Sequence, residues 1–341
     1  MYSFEILDVD NPKWEELINA SYIYDFHHTP FYHRIDNAYQ SLLFVGQDHT
    51  DFMAIPLVLR PIEGTELFDL TSVYGYAGPI SNRLDFAFSD GFLTFFKEEF
   101  DAYCLKNNIV SAFSRLHSLI DQHTAFADFG DIQLLNKTIS IDLTLSPEEQ
   151  RKQYRKSNKS EINQLRKKGF VVEEAKSSDD IEQFVDIYYE TMRRVDASSY
   201  YYFTKEYFNE FLNNSQFKSK LLVAKYEKQI VAGAIFTMTD KIMQYHLAGT
   251  TEDFIRLTPM KLVLDEARLL GNELDLEYLH LGGGVGGSDE DSLFRFKSGF
   301  SKDFKQFAVW KYIVDPVKYD MLVEQNNVKD KESSFFPLYR S

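Results

Sequence analysis

Hydrophobic and polar positions along this chain follow two rhythms, and the order in which they alternate predicts its elements. In the second half, Gly169 to Glu174 has the period of two expected of a strand. Ile181 to Arg194 then sets Ile181, Phe184, Val185, Ile187 and Tyr188 at helical spacing, opened by Asp179 and Asp180 and closed by arginines, which suits the helix dipole. Thr204 to Leu212 predicts a second helix with Thr204 as its N-cap. Three strand-like runs follow: Leu221 to Tyr226, Ile230 to Met238 and Ile242 to Ala248. Their links are too short for anything but an antiparallel meander. Thr258-Pro259 predicts a helix start and Gly271 its end. A strand from Leu276 to Leu281, a short helix from Asp289 to Ser298 and a strand from Gln306 to Val314 complete the series.

The first half repeats this order. Phe4 to Val9 reads as a strand, Pro12 to Ala20 and Phe31 to Asn37 as helices, and Leu42 to Gly46, Phe52 to Leu59 and Phe68 to Tyr74 as a meander. A helix from Phe86 to Lys106 and a strand from Ile109 to Leu116 follow. Asn136 to Thr144 predicts an edge strand, and Ser146-Pro147 with Glu148 and Glu149 a capped junction. Two copies of one mixed α/β unit, each a mostly antiparallel mixed sheet flanked by helices, fit 341 residues. The expected domains are 1–145 and 146–341, with the tail 316–341 packing back on the first.

Composition narrows the function. A hydrophobic share of 44% supports two cores, and no apolar run approaches the length of a membrane span. Met1 to Asp10 lacks a basic and an apolar region in the order of a signal peptide, which predicts a cytoplasmic protein. The one cysteine, Cys104, reads as a buried apolar residue. A net charge of -15 disfavours duplex nucleic acid as a partner. Against it stands the basic run Arg151 to Lys168, whose only acid is Glu161. Arg151, Arg155 and Lys159 at i, i+4 and i+8 predict a cationic helix stripe, either solvated or bound to substrate phosphates. The eight histidines show no metal-ligand spacing, no serine-hydrolase elbow occurs, and no cofactor is expected. Gly282-Gly-Gly-Val-Gly-Gly287 follows a strand but lacks the long crossover helix and the distant acid of a dinucleotide site. Its glycines allow either close approach of a ligand to exposed backbone amides or a flexible turn that holds none.

Three stretches carry a resemblance covering essentially the whole chain: Tyr74-Gly-Tyr-Ala-Gly-Pro79, the basic Arg151 to Gly169 segment, and Leu281-Gly-Gly-Gly with Leu293-Phe-Arg-Phe-Lys-Ser-Gly-Phe300. The chain resembles the Fem-type aminoacyltransferases of peptidoglycan bridge formation and their relatives in polysaccharide gene clusters, which carry two tandem acetyltransferase-like domains. The resemblance implies transfer of an acyl group, aminoacyl first, from charged tRNA to an amine of a lipid-linked or nucleotide-linked cell-envelope precursor, with peripheral membrane contact only through such a substrate. It matches Lys297 to the lysine near the transferred group and Tyr245 to the tyrosine beside the reacting centre. It also matches Tyr74, Tyr76 and Gly78 to the first-domain loop at the cleft. Gly282, Gly283, Gly284 and Arg295 join the expected site through their motif, and Arg115 and His117, ending a strand, are candidates for acceptor phosphate or sugar. The long coiled-coil arm of some members is missing. Where the acetyltransferase superfamily grips coenzyme A, this chain reads Arg256-Leu-Thr-Pro-Met-Lys261, with Pro259 and Lys261 at the glycine positions. Two alternatives stand beside the main reading. One is a coenzyme A-dependent N-acyltransferase acting on a nucleotide-linked amino sugar. The other is a non-catalytic protein that binds a glycan or lipid precursor.

Overall fold

The computed structural model describes residues 1–36, 39–126, 128–284, 291–330 and 332–341. The expected helix end at Asn37, the helix start at Asp289 and the motif members Val285, Gly286 and Gly287 lie outside the described residues.

Chain contacts divide the protein into two compact units, Met1–Asn136 with Gln306–Ser341, and Lys137–Lys305. The boundary falls at 136/137, not 145/146, and the chain returns to the first unit from residue 306, ten residues before the tail 316–341 that was expected there. The reason lies in the sixth strand of each sheet. In the first unit the sheet runs Tyr2–Asp8, Gln40–Asp48, Asp51–Pro61, Phe68–Thr71, Ile109–Arg115, and is completed by Val309 to Ile313 of the last strand, Asp303–Ile313. The second runs Val171–Ala175, Lys218–Tyr226, Gln229–Met238, Ile242–Thr250, Tyr278–Gly282, and is completed by Ile139 to Asp142 of the strand Asp131–Asp142. The pairing repeats as well. Every neighbour is antiparallel except the fourth and fifth strands, which are parallel in both units. The predicted meanders and the mixed α/β repeat are therefore present. The strand that follows the first unit in sequence closes the second sheet, and the strand that follows the second closes the first.

Helices form where the apolar spacing placed them, with local corrections. Ser177 caps Ser178–Arg194, with Asp179 and Asp180 in its first turn. Thr258 is no N-cap: its left-handed φ of 54° ends the turn Glu252–Leu257, and Pro259 precedes the helix Met260–Glu273. Gly271 does not end that helix but lies inside it, where its missing side chain leaves room for Leu143. The basic run is two helices, Pro147–Lys152 and Lys156–Lys167. Between them the Arg155 N–H donates to the Gly299 carbonyl, so the i, i+4, i+8 stripe is not one helical face.

In the second unit, Ile162 and Leu165 of Lys156–Lys167 and Val263, Leu264 and Ala267 of Met260–Glu273 pack on one face of the sheet with Ala234, Phe236 and Met243. On the other face Gly233 and Gly249 are cross-strand partners. They form a trough into which helix Ser178–Arg194 settles, and a Cβ on Gly249 would lie 2.9 Å from the Ile187 carbonyl oxygen. Among the described residues no helix is long and apolar enough to cross a membrane.

Candidate active site

The parallel fourth and fifth strands of the second unit pair over only three rungs, Ile242 to Gln244 with Tyr278 to His280. Beyond Gln244 and His280, whose side chains are joined at 2.5 Å, no further rung links them, and a wedge opens toward their carboxyl ends. A bulge sharpens the divergence. Ala234 faces Ala248 and Phe236 faces Tyr245, so Ile235 is opposed by two residues. Bulges bend a strand and re-aim its side chains, and this one comes directly after Tyr245.

Lys297 sits at the edge of this wedge. The short helix Ser292–Lys297, capped by Asp291 through the Phe294 N–H at 2.9 Å, carries it there. The residue is only 8% exposed. Its Nζ donates to the Gly283 carbonyl at 2.7 Å and lies 5.7 Å from the centre of the Tyr245 ring. Burial pushes the ammonium down to about 8, with Asp291 pulling the other way. Burial also pushes the Tyr245 phenol up, which keeps it protonated. Gly282 adopts a φ of 74° as it leaves the sheet. A Cβ on Gly284 would collide with the Asp291 carboxylate at 2.7 Å, so the glycines let the strand end press against the helix cap. Lys297, Tyr245 and Gly282 to Gly284 are thus brought together within one unit. An ammonium has three protons, and with one spent on Gly283 the others can meet a developing oxyanion.

Most of the expected cationic set is used internally. Arg151, Arg166 and Arg268 converge on Asp265, which is fully buried, at 2.8, 2.9 and 3.2 Å. Arg155 donates to the Arg295 carbonyl at 2.9 Å and to Ser298 Oγ at 2.6 Å, which anchors the segment carrying Lys297. Lys159 Nζ reaches the Lys152 carbonyl at 3.2 Å, and Arg295 is exposed. Asp265 escaped the sequence reading although its signal was present: an acid and Arg268 at i, i+3 inside an apolar helix stripe.

Tyr74, Tyr76, Gly78, Arg115 and His117 form a separate group in the first unit. Here the corresponding strands do not leave an open wedge. Ser72 Oγ accepts the Arg115 N–H at 3.1 Å, and Ala77 bridges to Leu116 beyond it. Buried Gln122 clamps the loop, donating to the carbonyls of Ala77 at 3.0 Å and Pro79 at 2.7 Å while accepting the His117 N–H at 2.7 Å. A side chain at Gly78 would strike Gln122. His117 Nδ1 accepts the Leu119 N–H, so Nε2 donates to buried Asp25 at 3.1 Å. Burial works against the Asp25 carboxylate, but the hydrogen bond from His117 and the His27 ring 3.3 Å away hold it far below the usual range. Tyr76 stands edge-on to His27 and His117, and Arg115 lies over the Tyr74 ring at 5.2 Å. Asp25, His27 and Gln122 were not foreseen, since nothing in local spacing ties three distant segments together. Among the described residues no group of three or more His, Cys, Asp or Glu could hold a metal.

A parallel strand pair that splays beside a bulge, followed by a helix at its open end, defines the acetyltransferase class of fold. The family of acetyltransferase (GNAT) domains matches residues 152–298, and no curated protein sequence matches the chain. Among solved structures, FemX superposes with a TM-score of 0.72 at 10% identity, covering 93% of this chain and 99% of its own. L-PGS from Bacillus licheniformis gives 0.58 at 15% identity, covering 91% of this chain and 95% of its own. A tandem GNAT protein from the clavulanic acid biosynthesis pathway gives 0.50 at 9% identity, covering 93% and 99%. The chain has the Fem-like tandem acetyltransferase fold, with an acyltransferase-type domain in its second half.

Proposed function

We propose that the wedge of the second unit is an acyl-transfer site, and that the group moved is an aminoacyl residue carried as an ester on tRNA. The acceptor would be an amine of a cytoplasmic cell-envelope precursor. The observation behind this reading is the buried Lys297 ammonium held against the Gly283 carbonyl beside Tyr245. In the reaction the acceptor nitrogen attacks the ester carbonyl, the C–N bond forms, and negative charge collects on the carbonyl oxygen. Lys297 meets that charge more strongly than it meets the neutral ester, which lowers the barrier of the chemical step. The C–O bond then breaks. Tyr245 hands its proton to the leaving oxygen and regains one from the acceptor nitrogen. The likeness to FemX is one of fold; the aminoacyl donor is read from the motif resemblance.

A coenzyme A-dependent acyl transfer is favoured instead by the match to acetyltransferase domains and the tandem GNAT neighbour. Single-turnover assays with charged tRNA and with acetyl-CoA separate the two. With the correct donor, Lys297→Met is expected to keep the fold and acceptor affinity and to slow turnover about 10²-fold or more, the loss typical of removing one oxyanion-stabilising donor. Equal rates for both proteins would remove Lys297 from the chemistry.

A further inference from the structure

Glu161 is the one acid in the basic run, and neither the wedge nor the Asp265 cluster uses it. It projects from helix Lys156–Lys167 to the start of helix Met260–Glu273. One carboxylate oxygen, Oε2, accepts from both Lys261 Nζ at 2.5 Å and Thr258 Oγ1 at 2.9 Å. Burial works to raise the Glu161 carboxyl, yet Lys261 and Thr258 outweigh it and hold the group ionised.

The place matters because of chain order. The helix Met260–Glu273 follows the strand Ile242–Thr250 through one turn, so it begins at the end where the wedge opens. A helix start of this kind ordinarily attracts phosphate through free amides and the helix dipole. Here Pro259 supplies no N–H, the Lys261 N–H is taken by the Thr258 carbonyl at 2.9 Å, and the nearby cation and hydroxyl are bound to Glu161. The chain has filled the position with its own anion.

We propose that Glu161 is a specificity-determining residue that stands in for a diphosphate and so excludes donors carrying one at this helix. A diphosphate would have to displace the carboxylate from Lys261 and Thr258 and then lie beside its charge. An acyl ester on the terminal ribose of a nucleic acid has no diphosphate to place there. The inference rests on the wedge being the donor site, and it names the donor class that site rejects.

Titration calorimetry of the full chain with coenzyme A, and separately with ADP, tests this without any turnover. The wild type is expected to show no saturable binding of either. Glu161→Gln and Glu161→Ser free the cation and the hydroxyl, so both are expected to bind coenzyme A and ADP at least about tenfold more tightly than wild type, the gain typical of one charge-assisted hydrogen bond. Since Glu161 is partly exposed, both variants should melt near the wild type. Equal affinity in wild type and variants, including no binding in any of them, overturns the proposal. So does tight wild-type binding that the variants lose. Failure of the acyl-transfer reading would appear elsewhere, as unchanged single-turnover rates in Lys297→Met.

Discussion

The buried histidines of the first unit make its stability steeply dependent on pH. His28 and His33 are both almost fully buried, and burial pushes each down to about 3, with neighbouring histidines adding to the effect. Unfolded, each titrates near 6.5. The unfolded chain therefore takes up protons first as pH falls, and the stability present above pH 6.5 is lost progressively toward pH 3. Each histidine contributes a slope that approaches about 1.4 kcal/mol per pH unit once pH is below 6.5, so the pair removes about 3 kcal/mol between pH 6.5 and 5. That is a large share of a total of about 5–15 kcal/mol for a domain. Asp25, held far below its usual value, adds its own loss only below about pH 4. Both tryptophans, Trp14 and Trp310, belong to the first unit, so their fluorescence in urea melts reports on that unit alone. Replacing His33 by Phe keeps an aromatic ring edge-on to Trp14, 5.1 Å from it in the wild type, and removes one proton site. Its stability profile between pH 6 and 4 should be shallower than wild type by about 1.4 kcal/mol per pH unit. Parallel profiles would show that His33 is not held neutral by burial, and the reasoning would fail.

Three further outcomes are expected. If the protonated Lys297 is the working form, single-turnover rates should fall as pH rises through about 8, and Lys297→Arg should move that limb upward without restoring full speed; a flat profile from pH 7 to 9 would contradict this. Gly249→Ala should destabilise the second unit by about 1–3 kcal/mol, because the new methyl group meets helix backbone at Ile187, while Ala248→Gly should cost less; thermal melts decide between them. Arg340→Ala should cost the first unit about 1.5–3 kcal/mol, since Arg340 Nε is lost from the fully buried Asp69 at 2.6 Å while Arg60 Nε still holds it at 2.9 Å, and the double variant Arg340→Ala with Asp69→Asn should recover part of the loss in urea melts.

Much of the repeat was legible because its signals are local. The links Glu227-Lys228-Gln229 and Thr239-Asp240-Lys241 admit only hairpins, and the helix Lys205–Leu212 begins at the Thr204 cap that its sequence announces. The break at Gln153 to Arg155 was hidden because no glycine or proline marks it; tertiary bonds from Arg155 to Gly299 and Ser298 impose it. Lys297 and Tyr245 were placed by motif, whereas the wedge that gives them meaning depends on where two strands stop pairing, which a period of two does not encode. The same blindness hid the ownership of the sixth strands. Alternating residues from Asp303 to Ile313 announce a strand but not which sheet it closes.

That crossed ownership sets a schedule for protein synthesis. The edge of Ile109–Arg115 is made early, but its partner, ending at Ile313, emerges roughly 200 residues later, about 10–40 s at common rates of translation. Until then the first sheet presents an unpaired edge on the nascent chain, the kind of surface that invites wrong pairing. The second sheet has no such wait, because Ile139 to Asp142 are already made before the strands they close. The second sheet can therefore close as soon as Tyr278–Gly282 has been made, and the first only after the last strand has reached Ile313.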